Sequence, residues 1–235
     1  MLCKIADLIT EVPDTGGLAP RVRDYLWEKD DPPDIVIRES DFRFGAWKGA
    51  SYDLYCYMES GADFYANLLF HEGMMLHASA VSYGGRAYLF SGPSGIGKST
   101  HTRIWKQIFG EEAVIINDDK PALRFLDGRW YAFGTPWCGK EGINTNLKVP
   151  LAGICFLKQG DENTISLLSA QEAIPLIIPQ TMYRFKRPEK TRLLLRNMGR
   201  LIDYVPICCM INRADQESAR LSYESMLQYA KERGL

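Results

Sequence analysis

The chain has 235 residues, 28 lysines and arginines against 29 aspartates and glutamates, a formal charge of -1 and 46% hydrophobic residues. That length holds one large domain or a small one joined to a medium one, with enough apolar chain for a full core, so a disulfide-stapled miniprotein is excluded. The balanced charge supplies no global field for a polyanion. The cysteines Cys3, Cys56, Cys138, Cys155, Cys208 and Cys209 offer no C-x-x-C pair and no metal-ligand spacing, which reads as scattered thiols in a reducing compartment.

The N-terminal segment MLCKIADLITEV places Lys4, Asp7 and Glu11 where a signal sequence needs an unbroken apolar run, and no stretch is long and apolar enough for a membrane span. A cytoplasmic protein without a membrane partner is expected. From Asp34 to about Tyr57 two alternating runs, DIVIRESDFRF and SYDLYCYM, read as strands flanking a turn at Gly45–Gly49. A helix is predicted from Ala62 to Phe70, with Phe64, Leu68 and Leu69 on one face.

Ala78–Val81, the Gly84-Gly85 turn and Arg86–Phe90 predict a hairpin whose second strand enters a Gly-rich loop. The spacing of Ile104, Trp105, Ile108 and Phe109 predicts a helix from Lys98 to Phe109, stopped by Gly110. Val114–Ile116 is a short apolar strand. Ala122–Leu126 and Trp130–Phe133 form a second hairpin around Asp127-Gly128, and Leu151–Leu157 and Thr164–Leu167 are strand-like. The last third reads as helical: Ser169 with Glu172 makes a capping box opening a helix toward Ile178, and Glu189–Asp203 and Gln216–Arg233 carry helical spacing. The expected organisation is α/β, with a short β-rich extension over residues 1–72 and a P-loop portion over 73–235.

Gly92-Pro93-Ser94-Gly95-Ile96-Gly97-Lys98-Ser99 satisfies G-x-x-x-x-G-K-[ST] between an apolar strand and an amphipathic helix, the context that pattern requires. The glycines let backbone N–H groups form a concave nest, the helix N-terminus adds its positive end, Lys98 brings a point charge to the β/γ-phosphates, and Ser99 offers its hydroxyl to magnesium. Residues 92–100, Thr100 included, are therefore the expected nucleotide site. A Ras-like G domain is set aside, because the only D-x-x-G, Asp14–Gly17, precedes the loop and no N-K-x-D occurs.

Val114-Ile-Ile-Asn-Asp118-Asp119 puts two carboxylates at the C-terminal end of a strand, the edge where ligands sit in parallel sheets. Both acids reach one phosphate only if the chain turns just there, as Pro121 suggests. Asp118 is then assigned to magnesium and Asp119 to accepting a proton, the plainer alternative being an Asx turn closing a strand. His77, at the start of the hairpin that delivers the P-loop strand, is a candidate to assist over the phosphates, against an ordinary half-buried histidine. His101 reads as a structural residue or a nucleotide neighbour.

This order, His77 opening a hairpin, G-x-S-G-I-G-K-S at 92–99 and a hydrophobic strand ending in Asp118-Asp119, resembles the HPr kinase/phosphorylase catalytic domain over roughly Leu76 to Leu157. The resemblance implies a P-loop fold shared with phosphoenolpyruvate carboxykinases, with a mixed sheet, and ATP-dependent transfer to a serine hydroxyl. It also implies magnesium at Ser99 and a proton acceptor at Asp119. The family's metal-binding glutamate has its counterpart candidate in Glu141, the only acid of Gly134–Asn144. About 75 residues precede His77, less than that family's separate N-terminal domain, and the C-terminal motif linked to phosphorolysis is not recognisable. The chain is more similar to small stand-alone HPr-kinase-like proteins, among them kinases that phosphorylate a serine of ribosomally made precursor peptides.

Between Arg184 and Arg200 seven basic residues, Arg184, Lys186, Arg187, Lys190, Arg192, Arg196 and Arg200, face one acid, Glu189. Arg192, Arg196 and Arg200 form a stripe opposite Leu194, Leu195 and Met198, either a solvated face or one from which Arg184 or Arg187 reaches the phosphoryl group or an acidic peptide. Nucleic acid is disfavoured, since no aromatics interleave with the stripe. The sequence thus leads to an ATP- and magnesium-dependent kinase acting on a serine-type hydroxyl of a peptide or small protein, with Asp119, His77 and Lys98 catalytic and Ser99, Asp118 and Glu141 on the metal. A kinase of a small alcohol such as free serine, or a nucleotide sensor with little catalysis, is the alternative, and a homo-oligomer is compatible with either.

Overall fold

A computed structural model describes residues 1–43, 49–182 and 187–235 of the chain. Strands β1 (Leu2–Ile5), β2 (Leu8–Glu11) and β3 (Ile35–Val36) make a small sheet in which β1 and β2 are antiparallel and β2 and β3 parallel. Of the Gly45–Gly49 turn, residues 45–48 lie outside the described residues.

The segment SYDLYCYM is not a strand. Helix α1 runs Tyr52–Leu68, because Ser51 caps it by accepting from the Leu54 N–H and because the buried set Tyr55, Cys56, Ser60, Gly61, Phe64, Tyr65 and Leu68 recurs every three to four residues. The alternation of Tyr52, Leu54 and Cys56 is coincidental, since Tyr52 and Leu54 are exposed. The helix expected at Ala62–Phe70 is the second half of α1 and the single 3-10 turn Leu69–His71 that follows it.

β4 (Gly73–Met75), β5 (Ala78–Tyr83) and β6 (Arg86–Ser91) lead through the Gly-rich loop into α2 (Lys98–Phe109), then β7 (Val114–Asn117), β8 (Ala122–Leu126) and β9 (Arg129–Phe133). After β10 (Lys148–Gln159) and β11 (Thr164–Leu167) come α3 (Ala170–Ile177), α4 (Pro188–Tyr204), β12 (Ile207–Asn212) and α5 (Gln216–Glu232). β12 lies in the region expected to be wholly helical. Its run Ile207-Cys-Cys-Met-Ile pairs with β10 on one edge and β11 on the other; all five residues are apolar although Cys209 is half-buried and Ile211 exposed, so the sequence carries a continuous apolar signal without period-2 alternation.

The main sheet runs β4-β8-β9-β10-β6-β5-β7, with β12 joined to β10 and β11 to β12. β10 makes it curl: Lys148–Pro150 pairs antiparallel with β9, while Ile154–Gln159 pairs parallel with β12 and its middle pairs parallel with β6. The fold is therefore a mixed α/β arrangement around a curled mixed sheet.

Period-2 side-chain direction sorts its two faces. Ala87 and Leu89 of β6 with Leu151, Ile154 and Phe156 of β10 pack toward Ala173, Ile177, Leu194, Met198 and Leu201 of α3 and α4. Tyr88 and Phe90 with Ala152, Cys155 and Leu157 pack toward Ile104 and Trp105 of α2 and Ala219, Met226 and Ala230 of α5. The N-terminal sheet and α1 share a third core with Ala122, Phe133 and Trp137. Leu195, placed on the apolar side of α4 by its spacing, is 51% exposed, and Leu201 is buried in that face instead. The six cysteines are free thiols, all but Cys209 buried. Among the described residues no helix is long and apolar enough to cross a membrane.

Replacing the α1 cap, Ser51→Ala, is expected to lower unfolding free energy by about 1 kcal/mol in urea denaturation. An unchanged midpoint would contradict a helix start at this residue.

Candidate functional site

Strand register gathers the site. β5 is antiparallel to both β6 and β7, so the C-terminal ends of β6 and β7 and the start of β5 share one edge: Ala78 pairs with Ser91, and Ala80 with Asn117. His77 precedes β5, Gly92 follows β6 and Asp118-Asp119 follow β7, which brings three sequence-predicted elements to that edge. The edge is stitched by Ser91 Oγ donating to the His77 carbonyl at 2.9 Å and the Ala78 N–H donating to the Asp119 carbonyl at 3.2 Å.

In the loop after β6, Gly92, Gly95 and Gly97 have φ of 142°, 80° and 107°, values that L side chains rarely adopt. A P-loop with side chains at these positions could not hold this path. Gly97 is the N-cap of α2 and gives no side-chain hydrogen bond, whereas Ser51, Ser169 and Asp215 cap α1, α3 and α5. The first N–H groups of α2 are thus without a side-chain acceptor, which suits a phosphate. Lys98, 8% exposed, donates through Nζ to the carbonyls of Gly92 at 3.0 Å and Pro93 at 3.2 Å. Burial lowers its pKa, and the charge of Asp119 acts in the opposite direction. Ser94 and Gly95 are exposed, Ile96 and Ser99 half-buried, and Thr100 exposed.

At the end of β7 the chain turns through an Asx-type turn made by the residue before the two acids. The Asn117 side-chain oxygen accepts from the N–H groups of Asp119 at 2.9 Å and Lys120 at 2.7 Å, and its Nδ2 donates to the carbonyls of Thr135 and Trp137. Thr135, Tyr65 and the Lys120 carbonyl complete a buried web, with Tyr65 Oη 2.8 Å from Thr135 Oγ1. The Asx turn and the paired acids are one feature. Asn117, Thr135 and Tyr65 were not among the sequence candidates, although the Asn-Asp-Asp run carried the signal for the first of them.

The two acids lie in different surroundings. Asp119 Oδ1 is 3.0 Å from His77 Nε2, its Oδ2 pairs with Lys120, and His77 Nδ1 is 3.0 Å from Gln180 Oε1. Burial pushes the Asp119 carboxyl up, but the His77 hydrogen bond and the Lys120 ammonium overcome it and hold the group at about 2. Asp118 is 7% exposed and accepts from the Gly139 N–H at 2.7 Å. Burial raises its pKa, the Gly139 hydrogen bond lowers it, and the charges of Asp119 and Glu141 raise it further. A Cβ at position 139 would come within 2.8 Å of the Asp118 carboxylate, so glycine there is what allows the close approach. Among the described residues no group of three or more His, Cys, Asp or Glu side chains is placed to hold a metal ion.

Glu141 pairs with Arg103 of α2 and is exposed. His101 is fully buried, 3.0 Å from Ser222 of α5, and burial lowers its pKa to about 4, the profile of a structural histidine. Of the basic run, Arg184 and Lys186 lie outside the described residues, and Arg187 and Arg192 are exposed. Arg196 and Arg200 both pair with Glu72, and Arg200 also covers the Phe125 ring, so two members of the stripe already have an acidic partner.

A model of the family described as SynChlorMet cassette protein ScmC matches residues 55–184, just over half of the chain. No curated protein matches it. Among solved structures the chain is similar to the Hpr(Ser) kinase/phosphatase from Coxiella burnetii, with 12% identity and a TM-score of 0.37, covering 67% of this chain and 97% of that one.

Two outcomes check the site. Asn117→Ala leaves two buried carbonyls and two N–H groups without their partner and is expected to cost about 2–4 kcal/mol of stability by urea denaturation. Because the folded-state pKa of Asp119 is depressed, its contribution to stability is present above the ordinary carboxylate range near pH 4 and is lost as pH falls toward about 2. Between about pH 5 and pH 3 the Tm of Asp119→Asn is expected to fall less than that of the parent protein; parallel curves would contradict the ion-paired carboxylate.

Proposed function

The chain belongs to the SynChlorMet cassette protein ScmC family, and from that premise we propose that it is an ATP-dependent kinase that phosphorylates a serine-type hydroxyl of a peptide or small protein. The observation that carries this reading is the meeting, at one sheet edge, of a complete P-loop and an ionised Asp119 oriented by His77. The motif resemblance to HPr kinases points the same way.

Residues 92–100 bind the triphosphate. The loop N–H groups and the uncapped start of α2 face anionic oxygens, and Lys98 keeps donor capacity beyond its two loop carbonyls for the β/γ-phosphates. Ser99 and Asp118 would hold a magnesium ion, which would supply positive charge against the phosphates. Glu141, tied to Arg103, is the third candidate for that ion and needs to exchange partners to serve it.

Asp119 accepts the proton of the acceptor hydroxyl. The hydroxyl oxygen forms a bond to the γ-phosphorus, the bond from that phosphorus to the β,γ-bridging oxygen breaks, ADP leaves, and the proton passes to a carboxylate oxygen of Asp119. Each oxygen of Asp119 carries a second lone pair beyond its contact with His77 or Lys120, so both contacts persist while the substrate binds. With its pKa at about 2 Asp119 is a weak base but an ionised one throughout the neutral range. That suits a loose transition state, in which the proton leaves late and positioning supplies most of the acceleration. His77 fixes the carboxylate through Nε2 and is itself fixed by Gln180.

With γ-labelled ATP, label is expected to appear on serine-containing peptides. Asp119→Asn is expected to lower transfer by roughly a hundredfold to ten-thousandfold with nucleotide binding retained, and Lys98→Ala to weaken nucleotide binding itself. Transfer undiminished in Asp119→Asn would remove the base assignment. Tight nucleotide binding with no labelled product across peptides and small alcohols would replace the kinase by a nucleotide sensor.

A further inference from the structure

A cavity of about 160 Å³ is lined by Met58, Met75, Met182, the rings of Tyr57, Tyr65 and Trp137, and Lys120, the residue after Asp119. Its walls are the segments that build the proton-accepting site. Lys120 follows Asp119 and pairs with it, Met182 lies two residues beyond the Gln180 that orients His77, and the Tyr65 hydroxyl bonds the Lys120 carbonyl. None of the described lining residues belongs to the P-loop, so the cavity is separate from the residues that receive the nucleotide.

The polar atoms of the lining already have partners: Lys120 pairs with the Asp119 carboxylate, the Tyr57 and Tyr65 hydroxyls bond Cys138 and the Lys120 carbonyl, and Trp137 Nε1 donates to Ser60. A dry apolar cavity of about 150 Å³ is large enough for benzene, so this one has the capacity of a single leucine side chain or phenyl ring. Methionine side chains on three sides let the walls adjust to either shape. Gly61 keeps the cavity in place, because a Cβ there would come within 2.8 Å of the Trp137 ring that stacks on Phe64.

We infer that this cavity is the specificity pocket of the acceptor site and takes one apolar side chain, of leucine or phenylalanine size, carried by the acceptor peptide next to the hydroxyl presented to Asp119. The inference rests on the kinase reading and deepens it. It selects a peptide segment with an apolar residue flanking its serine, and it selects against free serine, which has nothing to fill the cavity.

The test uses γ-labelled ATP and serine-centred peptide pools in which one flanking position at a time is fixed as Leu, Phe, Ala or Asp, with free serine alongside. At one flanking position the Leu and Phe pools are expected to accept label about tenfold better than the Ala pool, and free serine to accept least. Ala62→Phe, which fills the cavity from α1, is expected to abolish that preference while ATP hydrolysis without acceptor stays unchanged. Met58→Ala, which enlarges the cavity and does not depend on tolerating a larger side chain, is expected to shift the preference from Leu toward Phe. Transfer without a flanking preference, or a preference unaltered in both variants, would overturn the pocket assignment and leave the kinase standing. No transfer to any pool, with nucleotide bound, would overturn the kinase reading and the pocket with it.

Discussion

Asn117 sits where the last residue of β7 meets two loops, and its side chain holds both. The carboxamide oxygen accepts from two successive N–H groups, which bends the chain so that Asp118 and Asp119 leave the strand together, and the amide nitrogen anchors the Thr135–Trp137 backbone across from them. Extended backbone would send these two carboxylates to opposite faces. Their departure from the strand depends on one buried side chain that is fully hydrogen-bonded, an arrangement costly to disturb because the Thr135 carbonyl and the Asp119 and Lys120 N–H groups would lose the partner it supplies.

The same anchoring separates the chemistry of the two acids. Asp118 is turned toward Gly139, where burial and the like charges of Asp119 and Glu141 favour the neutral form. Asp119 is turned toward His77 and Lys120, where opposite charge keeps it ionised. Adjacent residues of one chemical type thereby acquire opposite pKa shifts through a difference in neighbours. His77 and Gln180 extend the arrangement to the start of β5 and the end of the 3-10 turn after α3, so three distant stretches of sequence are linked to a single carboxylate.

The hairpin β5–β6, the P-loop, α2, the Asp127-Gly128 hairpin and the capping box of α3 were legible because each is a local signal: paired glycines at a turn, an apolar stripe every three to four residues, a Ser and a Glu three apart. The misreadings also have physical causes. α1 begins with exposed aromatic and aliphatic residues whose alternation imitates a strand. β1 and β2 were not seen because their turn, Ala6-Asp7, reaches positive φ without the Asn-Gly or Gly-Gly that usually marks it. β12 carries apolar residues even on its partly exposed face, at Cys209 and Ile211, so it shows no polar alternation to give it a period. Within the site, the Gly-rich loop and the acidic pair could be found from spacing, whereas Thr135, Tyr65 and Gln180 act through contacts 15 to 103 residues away in sequence, which no local pattern encodes.

The sequence by itself determined that a Gly-rich loop of the pattern G-x-x-x-x-G-K-S joins an apolar strand to an amphipathic helix, and that two carboxylates follow on a further apolar strand, because glycine conformations and helix periodicity are properties of neighbouring residues. Only the tertiary structure decided which acid is kept ionised, that two arginines of the basic stripe are bound to Glu72, and that an apolar cavity adjoins Lys120. Each of those depends on burial and on charges brought together by strand register, and register is fixed by the packing of the whole sheet.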